Sequence, residues 1–271
     1  MGTMTDSNWG TDHEMWRTIP LPYVPSDEDV ALLRQLCPPE LLGDSAAPRI
    51  LVLGVTPPLI GAGWPAASEV HAVDFDHGAI DTLWQPGERR RVHCARWQEI
   101  PFPDAHFDLV IGDCSFNALP GIEQYDEVIA EVDRVRKPSA PLITRFFMQS
   151  EPRLTLDYLM REASGLFAGY RPYALLMLVP IAASEANGVL HATDTAGRIV
   201  EQCGDVEAFL SALGLDEEGK WRARRTFEFD QFLNFPARRR IEEVFGSRFP
   251  QIGFFQPAYD CGAFCPMVRF R

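Results

Sequence analysis

The feature that most constrains the fold is a series of short apolar runs separated by spacers of helical length. These runs fall at residues 49–54, 70–74, 91–95, 107–113 and 141–147. Short, nearly continuous apolar runs are typical of parallel strands that are buried on both faces. Because strands that alternate with helices form β-α-β units, the sequence predicts an α/β fold with a doubly wound sheet.

This rhythm of strands and helices stops after the fifth run and resumes near the end of the chain. The intervening segment has helical apolar spacings and a loop rich in Gly, Asp and Thr at 187–197, which together predict a mostly helical insertion. After it, the sequence predicts one helix and two closing strands, at 252–255 and 267–270. We expect an N-terminal arm or lid, an α/β core, a helical insertion or cap, and a C-terminal unit that completes the core, at residues 1–25, 26–149, 150–235 and 236–271.

Capping residues indicate where two of the helices begin. Ser26 is followed three residues later by Asp29, which is the spacing of a capping box, and Cys37-Pro38-Pro39 ends the helix that follows. After the first strand, Thr56 can cap a helix whose first position is Pro57. The free N–H groups of such a helix start attract a carboxylate or a phosphate, so we expect a ligand near this turn.

The same turn limits which nucleotide cofactor the chain can bind. Gly54 permits a tight bend with no Cβ in the way. A dinucleotide-binding fold needs G-x-G-x-x-G here, because the second glycine lets the backbone approach a pyrophosphate. Thr56 occupies that second position, which argues against a nicotinamide dehydrogenase. A ligand without a pyrophosphate, such as S-adenosylmethionine, fits this turn better.

Acidic and aromatic side chains follow the second strand. Asp74 lies 20 residues after Gly54, a spacing at which a carboxylate can accept both hydroxyls of a ribose. Asp76 is a second choice for that role, and either acid could instead cap the next helix. Phe75, between them, is expected to pack on an adenine or in the core.

The third and fourth strands end in further residues that can contact a nucleoside. Trp97 is expected either to lie against an adenine face or to pack beneath its own loop. Asp113 is expected to hold an amino-acid ammonium group, to orient a nucleophile or to cap the next turn. Cys114 lies beside it and is assigned to the wall of the pocket, since no histidine can be placed next to it as the partner of a nucleophile.

In order and spacing, five stretches resemble the motifs of class I S-adenosylmethionine-dependent methyltransferases. They are Ile50–Gly54, Val73-Asp74, Ile100–Asp104, Phe107–Val110 and Val132–Pro138. The resemblance implies a Rossmann-like sheet of seven strands with the last strand antiparallel. It also implies S-adenosylmethionine as cofactor, S-adenosylhomocysteine as product, and methyl transfer to an O, N or S nucleophile of a small molecule. The residues that it places in the cofactor pocket are Gly54, Thr56, Asp74, Trp97 and Asp113.

The chain departs from the family pattern at three points. The first motif contains fewer glycines than usual, Arg96 replaces the acid that is common after the third strand, and Ser139-Ala140 replaces the usual glycines after the K-P element. A subgroup with a similar "lGvTP" turn carries a helical insertion like the one expected here. Of the three, the change to Arg96 bears on the recognition of adenine.

The acceptor site is less well defined by the sequence. Residues expected to line it are Trp16, Tyr23, Asn117, Arg145 and Tyr259. None of them forms a pattern that identifies a catalytic base. His191 lies in the polar loop of the insertion and is expected to be a solvent-exposed loop histidine.

The charge and the cysteines exclude several partners. The formal net charge of −13 repels nucleic-acid phosphates, and the basic clusters 89–91 and 238–240 contain no interleaved aromatic residues. The six cysteines include no C-x-x-C pair, which indicates reduced thiols in a cytoplasmic protein and no metal site. The longest apolar stretch, Ala174–Ala183, is about half as long as a membrane span, so we expect no membrane partner.

Two other functions remain open from the sequence. The chain could bind S-adenosylmethionine in a regulatory or non-methylating role, since the same pocket would serve both. A nucleic-acid methyltransferase is disfavoured by the charge and by the segment Asp113–Phe116, which lacks an N/D-P-P-Y-like motif.

Overall fold

The computed structural model describes residues 22–271, and its centre is a seven-stranded sheet with the strand order β3-β2-β1-β4-β5-β9-β8. β1 to β5 run parallel, whereas β9 is antiparallel to both of its neighbours, β5 and β8. The strands are β1 Arg49–Leu53, β2 Glu69–Asp74, β3 Arg90–Cys94, β4 Leu109–Asp113, β5 Leu142–Arg145, β6 Val189–His191, β7 Phe232–Asn234, β8 Ile252–Phe255 and β9 Met267–Phe270. This confirms the predicted Rossmann-like sheet with an antiparallel last strand.

Helices cover both faces of the sheet. They are α1 Asp27–Leu36, α2 Pro57–Ile60, α3 His77–Leu83, α4 Tyr125–Val135, α5 Leu156–Glu162, α6 Pro172–Ala183, α7 Thr195–Cys203, α8 Val206–Ala212, α9 Glu217–Thr226 and α10 Arg238–Phe245. The alternation of side chains along β1 explains the continuous apolar run: Leu51 and Leu53 pack in one hydrophobic cluster and Ile50 and Val52 in the cluster on the other face. Within residues 22–271, no helix is both long and apolar enough to cross a membrane.

The N-caps in the structure can be compared with the helix starts that the capping residues predicted. Ser26 and Asp29 form the expected capping box, with the Asp29 backbone N–H donating to Ser26 Oγ at 3.0 Å. Thr56 occupies the N-cap of α2, but its side chain makes no capping hydrogen bond there. Asp76, and not Asp74, caps α3 by accepting from the backbone N–H groups of Gly78 and Ala79.

Between β5 and α10 lies a helical segment that includes a small second sheet. α5 to α9 pack around a hydrophobic cluster, and β6 pairs antiparallel with β7. The sequence-based expectation of an irregular loop at 187–197 is therefore wrong, because that stretch contains β6 and the start of α7. The pairing of β6 with β7 depends on Gly188, which has a φ of +86°. A Cβ at this position would lie 2.4 Å from the Phe235 carbonyl oxygen.

This segment leaves and rejoins the core at one place. Gln149 pairs with Ala237 in an isolated parallel bridge, and the buried Gln149 amide donates to the Ile181 carbonyl oxygen at 2.9 Å. The Gln149 side-chain oxygen accepts from the Leu154 backbone N–H at 2.8 Å. One buried amide thus ties the beginning of the segment to α6.

A cluster of three histidines, on β2, on β3 and just before β4, packs around Phe102. His71 Nδ1 lies 3.1 Å from His93 Nε2, and His106 Nδ1 lies 3.1 Å from an Arg49 guanidinium nitrogen. The His71 ring also packs edge-on against Phe102, with ring centroids 5.0 Å apart. Burial, together with the neighbouring His93, lowers the pKa of His71 to about 4, and burial also lowers the pKa values of His93 and His106.

Acidification is expected to destabilise the protein through this histidine cluster. The folded-state pKa of His71 lies below its unfolded value of about 6.5, so the unfolded chain binds more protons between about pH 6.5 and about pH 4. The stability that neutral His71 contributes is therefore fully present above about pH 6.5, and it is lost as the pH falls towards about 4. Thermal unfolding of His71→Asn across this window should show a shallower decline than the wild type shows. The exposed His77 provides the matched control, because His77→Asn should retain the wild-type slope. Equal slopes for all three proteins would contradict the assignment.

Candidate active site

A cavity of about 970 Å³ opens at the carboxyl ends of β1 to β4. One wall consists of the loops that follow these strands, and the opposite wall consists of residues from α6, β6, α9 and β7. In a doubly wound sheet, ligands bind outside the carboxyl ends of the strands, so this is where the fold places a site. The cavity is near the upper end of the roughly 300–1,000 Å³ that is usual for small-molecule sites.

The turn after β1 is fixed to the end of β2. Gly54 has a φ of +98°, a left-handed conformation that side chains rarely adopt, and its N–H donates to the Val73 carbonyl oxygen at 2.9 Å. The Asp74 carboxylate accepts from the backbone N–H groups of Val55 and Asp76, each at 3.0 Å. Burial raises the pKa of Asp74, and these two hydrogen bonds oppose the shift. Both carboxylate oxygens keep further lone pairs, so Asp74 can also accept from a ligand in the cavity.

Trp97 and Phe75 bring aromatic surface to the same end of the cavity. The Trp97 indole N–H donates to the Val73 carbonyl oxygen at 2.7 Å, which fixes the ring beside the β1 turn. A Cβ built on Gly54 would lie 3.6 Å from this indole and 3.7 Å from Asp74 Oδ2. The guanidinium of Arg96 lies over the Phe75 ring, 5.3 Å from its centroid. The bend, the carboxylate and the aromatic rings therefore surround one small space.

Asp113 at the end of β4 is engaged in a buried ionic network. Its carboxylate accepts from Arg145 Nε at 2.7 Å and from a second Arg145 guanidinium nitrogen at 3.2 Å. The remaining terminal nitrogen of Arg145 lies 3.3 Å from Asp29 Oδ2 and 3.4 Å from the Tyr259 hydroxyl, which donates to Asp29 Oδ1 at 2.9 Å. Only 1% of the Arg145 and Asp29 side chains is exposed. One cation is thus held between two carboxylates beneath the cavity floor.

Burial and charge shift the pKa values around this network in opposite ways. Burial raises the pKa of the Asp113 carboxyl, and the Arg145 guanidinium opposes that increase. The paired carboxylates hold the pKa of Arg145 well above its usual range, although burial acts against them. Burial and the neighbouring Asp113 raise the pKa of the Cys114 thiol. Cys114 is therefore a neutral thiol in the cavity wall, which is consistent with its expected role as a lining residue and not a nucleophile.

The wall opposite the β1 turn is rich in phenylalanine. The stretch 226–235 supplies Phe227, Phe229, Phe232 and Phe235 to the cavity, and Phe147 and Tyr23 add two more rings. The wall also contains one carboxylate, Asp230, and one imidazole, His191, whose Nε2 lies 3.1 Å from Asp230 Oδ1. His191 was expected to be a solvent-exposed loop residue, but 23% of its side chain is exposed and it faces the cavity. The aromatic spacing of 227–235 was the available signal for this wall.

Asn117 lies between the two walls. Its amide nitrogen donates to the Phe147 and Asn234 carbonyl oxygens, at 2.7 and 2.5 Å, and its amide oxygen accepts from the Phe147 backbone N–H at 3.0 Å. These bonds connect the ends of β4 and β5 to β7. The Asn117 side chain therefore shapes the cavity mainly by fixing its backbone.

The structure brings most of the predicted site residues together. The cavity wall includes Gly54, Thr56, Pro57, Asp74, Phe75, Trp97, Asp113 and Cys114 from the predicted cofactor site, and Tyr23 and Asn117 from the predicted acceptor site. Arg145 and Tyr259 were expected in the acceptor site as well. The structure places both outside the cavity wall, because their polar groups are used in the buried network with Asp29. Trp16 lies outside the described residues.

Metal-binding groups were also sought in the part of the chain that the structure describes. It contains no group of three or more His, Cys, Asp or Glu side chains that could hold a metal ion. The two neighbouring cysteines, Cys261 and Cys265, are buried free thiols.

Comparisons with known proteins agree with this geometry. Residues 56–144 match the family model described as a methyltransferase domain, and they include Asp74, Trp97 and Asp113. No curated protein matches the sequence.

Solved structures share the fold at low sequence identity. A protein of Rhodobacter sphaeroides, provisionally described as a Zn-dependent alcohol dehydrogenase, is 12% identical with a TM-score of 0.59, over 95% of this chain and 94% of that one. A chain from the complex of the Haloferax volcanii Trm112 methyltransferase activator with a provisionally described methyltransferase is 8% identical with a TM-score of 0.52. The match covers 97% of this chain and 93% of that one. A SAM-dependent methyltransferase of Methanosarcina mazei is 17% identical with a TM-score of 0.47, over 84% and 92%. The first two similarities show that the fold is shared. The activities in their descriptions belong to those proteins and are not transferred to this chain.

Proposed function

We propose that this enzyme, a class I S-adenosylmethionine-dependent methyltransferase, transfers the methyl group to a nucleophile of a small molecule bound between the sheet and the phenylalanine-rich wall. The proposal rests on one cavity whose two ends differ in chemistry. One end offers a polar bend and carboxylates, and the other end is mainly aromatic. A volume of about 970 Å³ accommodates a nucleoside cofactor together with a second small ligand.

The residues at the β1 turn fit S-adenosylmethionine. Gly54 opens the bend, the Asp74 carboxylate is held where it can accept ribose hydroxyls, and Trp97 and Phe75 offer aromatic surface for the adenine. Asp113 offers a carboxylate, fixed by Arg145, for the ammonium group of the methionine moiety. When bound, the cofactor would supply a methyl group on a positively charged sulfur, and an acceptor nucleophile that bonds to the methyl carbon would displace neutral S-adenosylhomocysteine.

The chain's own contribution to catalysis is to position the reactants and to exclude water. Loops from the sheet fix the donor side, and residues 226–235 with α6 close the acceptor side. Holding two reactants in line lowers the entropic part of the barrier, an effect worth up to roughly 7–11 kcal/mol in well-oriented systems. An apolar acceptor wall also keeps the nucleophile poorly hydrated.

A labelling experiment tests whether the acceptor is small. The purified enzyme is incubated with methyl-labelled S-adenosylmethionine and with two fractions of one cell extract, the ultrafiltrate and the retained macromolecules. A labelled product other than the cofactor is expected only in the incubation with the ultrafiltrate. Label that stays on protein or nucleic acid would contradict the proposal, and so would bound cofactor without any product S-adenosylhomocysteine from either fraction.

A further inference from the structure

We propose that the acceptor carries an ammonium group on an apolar, ring-containing body, and that Asp230 and the phenylalanines of 226–235 bind that cation. The inference rests on the proposed function, because it describes the acceptor end of the same cavity. It adds a charge and a chemical class that the methyltransferase domain itself does not specify.

The first support is a carboxylate in the phenylalanine-rich wall. Asp230 lies on the loop between α9 and β7 and lines the cavity, with 61% of its side chain exposed. His191 Nε2 lies 3.1 Å from Asp230 Oδ1, and His191 Nδ1 lies 2.6 Å from Thr193 Oγ. Because a carboxylate only accepts hydrogen bonds, this contact favours the proton on Nε2, and Nδ1 can then accept from the Thr193 hydroxyl. Both ring nitrogens of His191 are thereby engaged, and the Asp230 carboxylate keeps further lone pairs for a ligand.

The second support is the aromatic surface next to that carboxylate. The Phe232 ring packs edge-on against His191, with centroids 4.6 Å apart, and 47% of Phe232 is exposed. Phe227, Phe229 and Phe235 line the same cavity. Aromatic faces beside a carboxylate suit an ammonium group, because the ring quadrupole and the carboxylate both attract a cation.

The charges in the cavity wall argue against an anionic acceptor. The carboxylates in the cavity wall are those of Asp74, Asp76, Asp113 and Asp230, whereas Arg96 is the one Lys or Arg side chain among the described lining residues. The whole chain carries a formal net charge of −13. An anionic acceptor would be repelled by Asp230, and a neutral acceptor would lack the charge–charge attraction that an ammonium group gains from the carboxylate.

Three indole probes of similar shape test the inference. Tryptamine, tryptophol and indole-3-propionate place an ammonium, a hydroxyl and a carboxylate on comparable side chains. Their affinities are measured by calorimetry on protein saturated with S-adenosylhomocysteine. Tryptamine is expected to bind at least about tenfold more tightly than the other two, a difference of about 1.4 kcal/mol.

Substitutions assign the preference to Asp230. Asp230→Asn should reduce the affinity for tryptamine about tenfold and leave that for tryptophol unchanged. Glu228→Gln is the matched control, because Glu228 is two residues away, is also 61% exposed, pairs with Arg225 and does not line the cavity. The control should retain the wild-type preference.

Three results would overturn the inference: no binding of tryptamine, tryptophol binding as tightly as tryptamine, or an unchanged preference in Asp230→Asn. Binding of S-adenosylhomocysteine is measured first on the same samples. Failure of the amine with normal binding of the nucleoside rejects the acceptor class alone, whereas failure of the nucleoside itself rejects the proposed function.

Discussion

Replacing Arg145 with methionine is expected to lower the free energy of unfolding by about 3–5 kcal/mol. The guanidinium is 1% exposed and contacts both Asp113 and Asp29, so its loss leaves two buried carboxylates without a counter-charge. Methionine fills much of the volume, which makes the lost charge the main change. Equilibrium unfolding in urea measures the effect.

The pH dependence of that loss separates charge from packing. Burial raises the pKa of Asp113 and Arg145 opposes that shift, so the Asp113 carboxyl of Arg145→Met should take up a proton more readily as the pH falls, and the cost relative to wild type should shrink. Arg239→Met provides the control, because Arg239 is 82% exposed, lies 3.7 Å from Glu243 and should cost less than about 1 kcal/mol. A cost for Arg145→Met that matched this control, or that was constant with pH, would contradict the account of the network.

Replacing Asp74 with alanine is expected to weaken cofactor binding by about 1–3 kcal/mol, or roughly 5-fold to 150-fold in Kd. The substitution removes the carboxylate that we assign to the ribose hydroxyls. It also frees the backbone N–H groups of Val55 and Asp76, which loosens the β1 turn. Titration calorimetry with S-adenosylhomocysteine measures the change.

The control for this variant lies on α3. Asp81 is an exposed acid outside the cavity wall, so Asp81→Ala should bind the nucleoside as the wild type does. Thermal unfolding of both variants distinguishes lost affinity from lost folding. Unchanged affinity in a folded Asp74→Ala would move the ribose contact to Asp76 or remove this assignment altogether.

The grouping of residues around the β1 turn could be predicted from the sequence because its geometry is local. Gly54 follows directly on β1 and Asp74 ends β2, so the order of strands along the chain places them side by side. Hydrophobic periodicity located the strands for the same reason. The distinction between Asp74 and Asp76 was harder, because either acid could cap α3 and only the backbone conformation decides it.

The acceptor end depends on contacts between distant residues, which periodicity does not encode. His191 and Asp230 meet because β6 pairs with β7, and that pairing depends on the close backbone approach at Gly188. Arg145 was expected in the acceptor site as a residue of the fifth predicted strand. Its second carboxylate partner, Asp29, is 116 residues away in the sequence, so nothing near Arg145 indicated that its charge would be enclosed.

The single junction at which Gln149 pairs with Ala237 has an evolutionary consequence. In the arrangement that we propose, the methyl donor contacts the core and the molecule to be modified contacts mainly residues 150–235, so selection could alter one preference without disturbing the other. Exchanging residues 150–235 between homologues, with the graft points at this bridge, should therefore yield hybrid enzymes that keep the donor and accept new compounds.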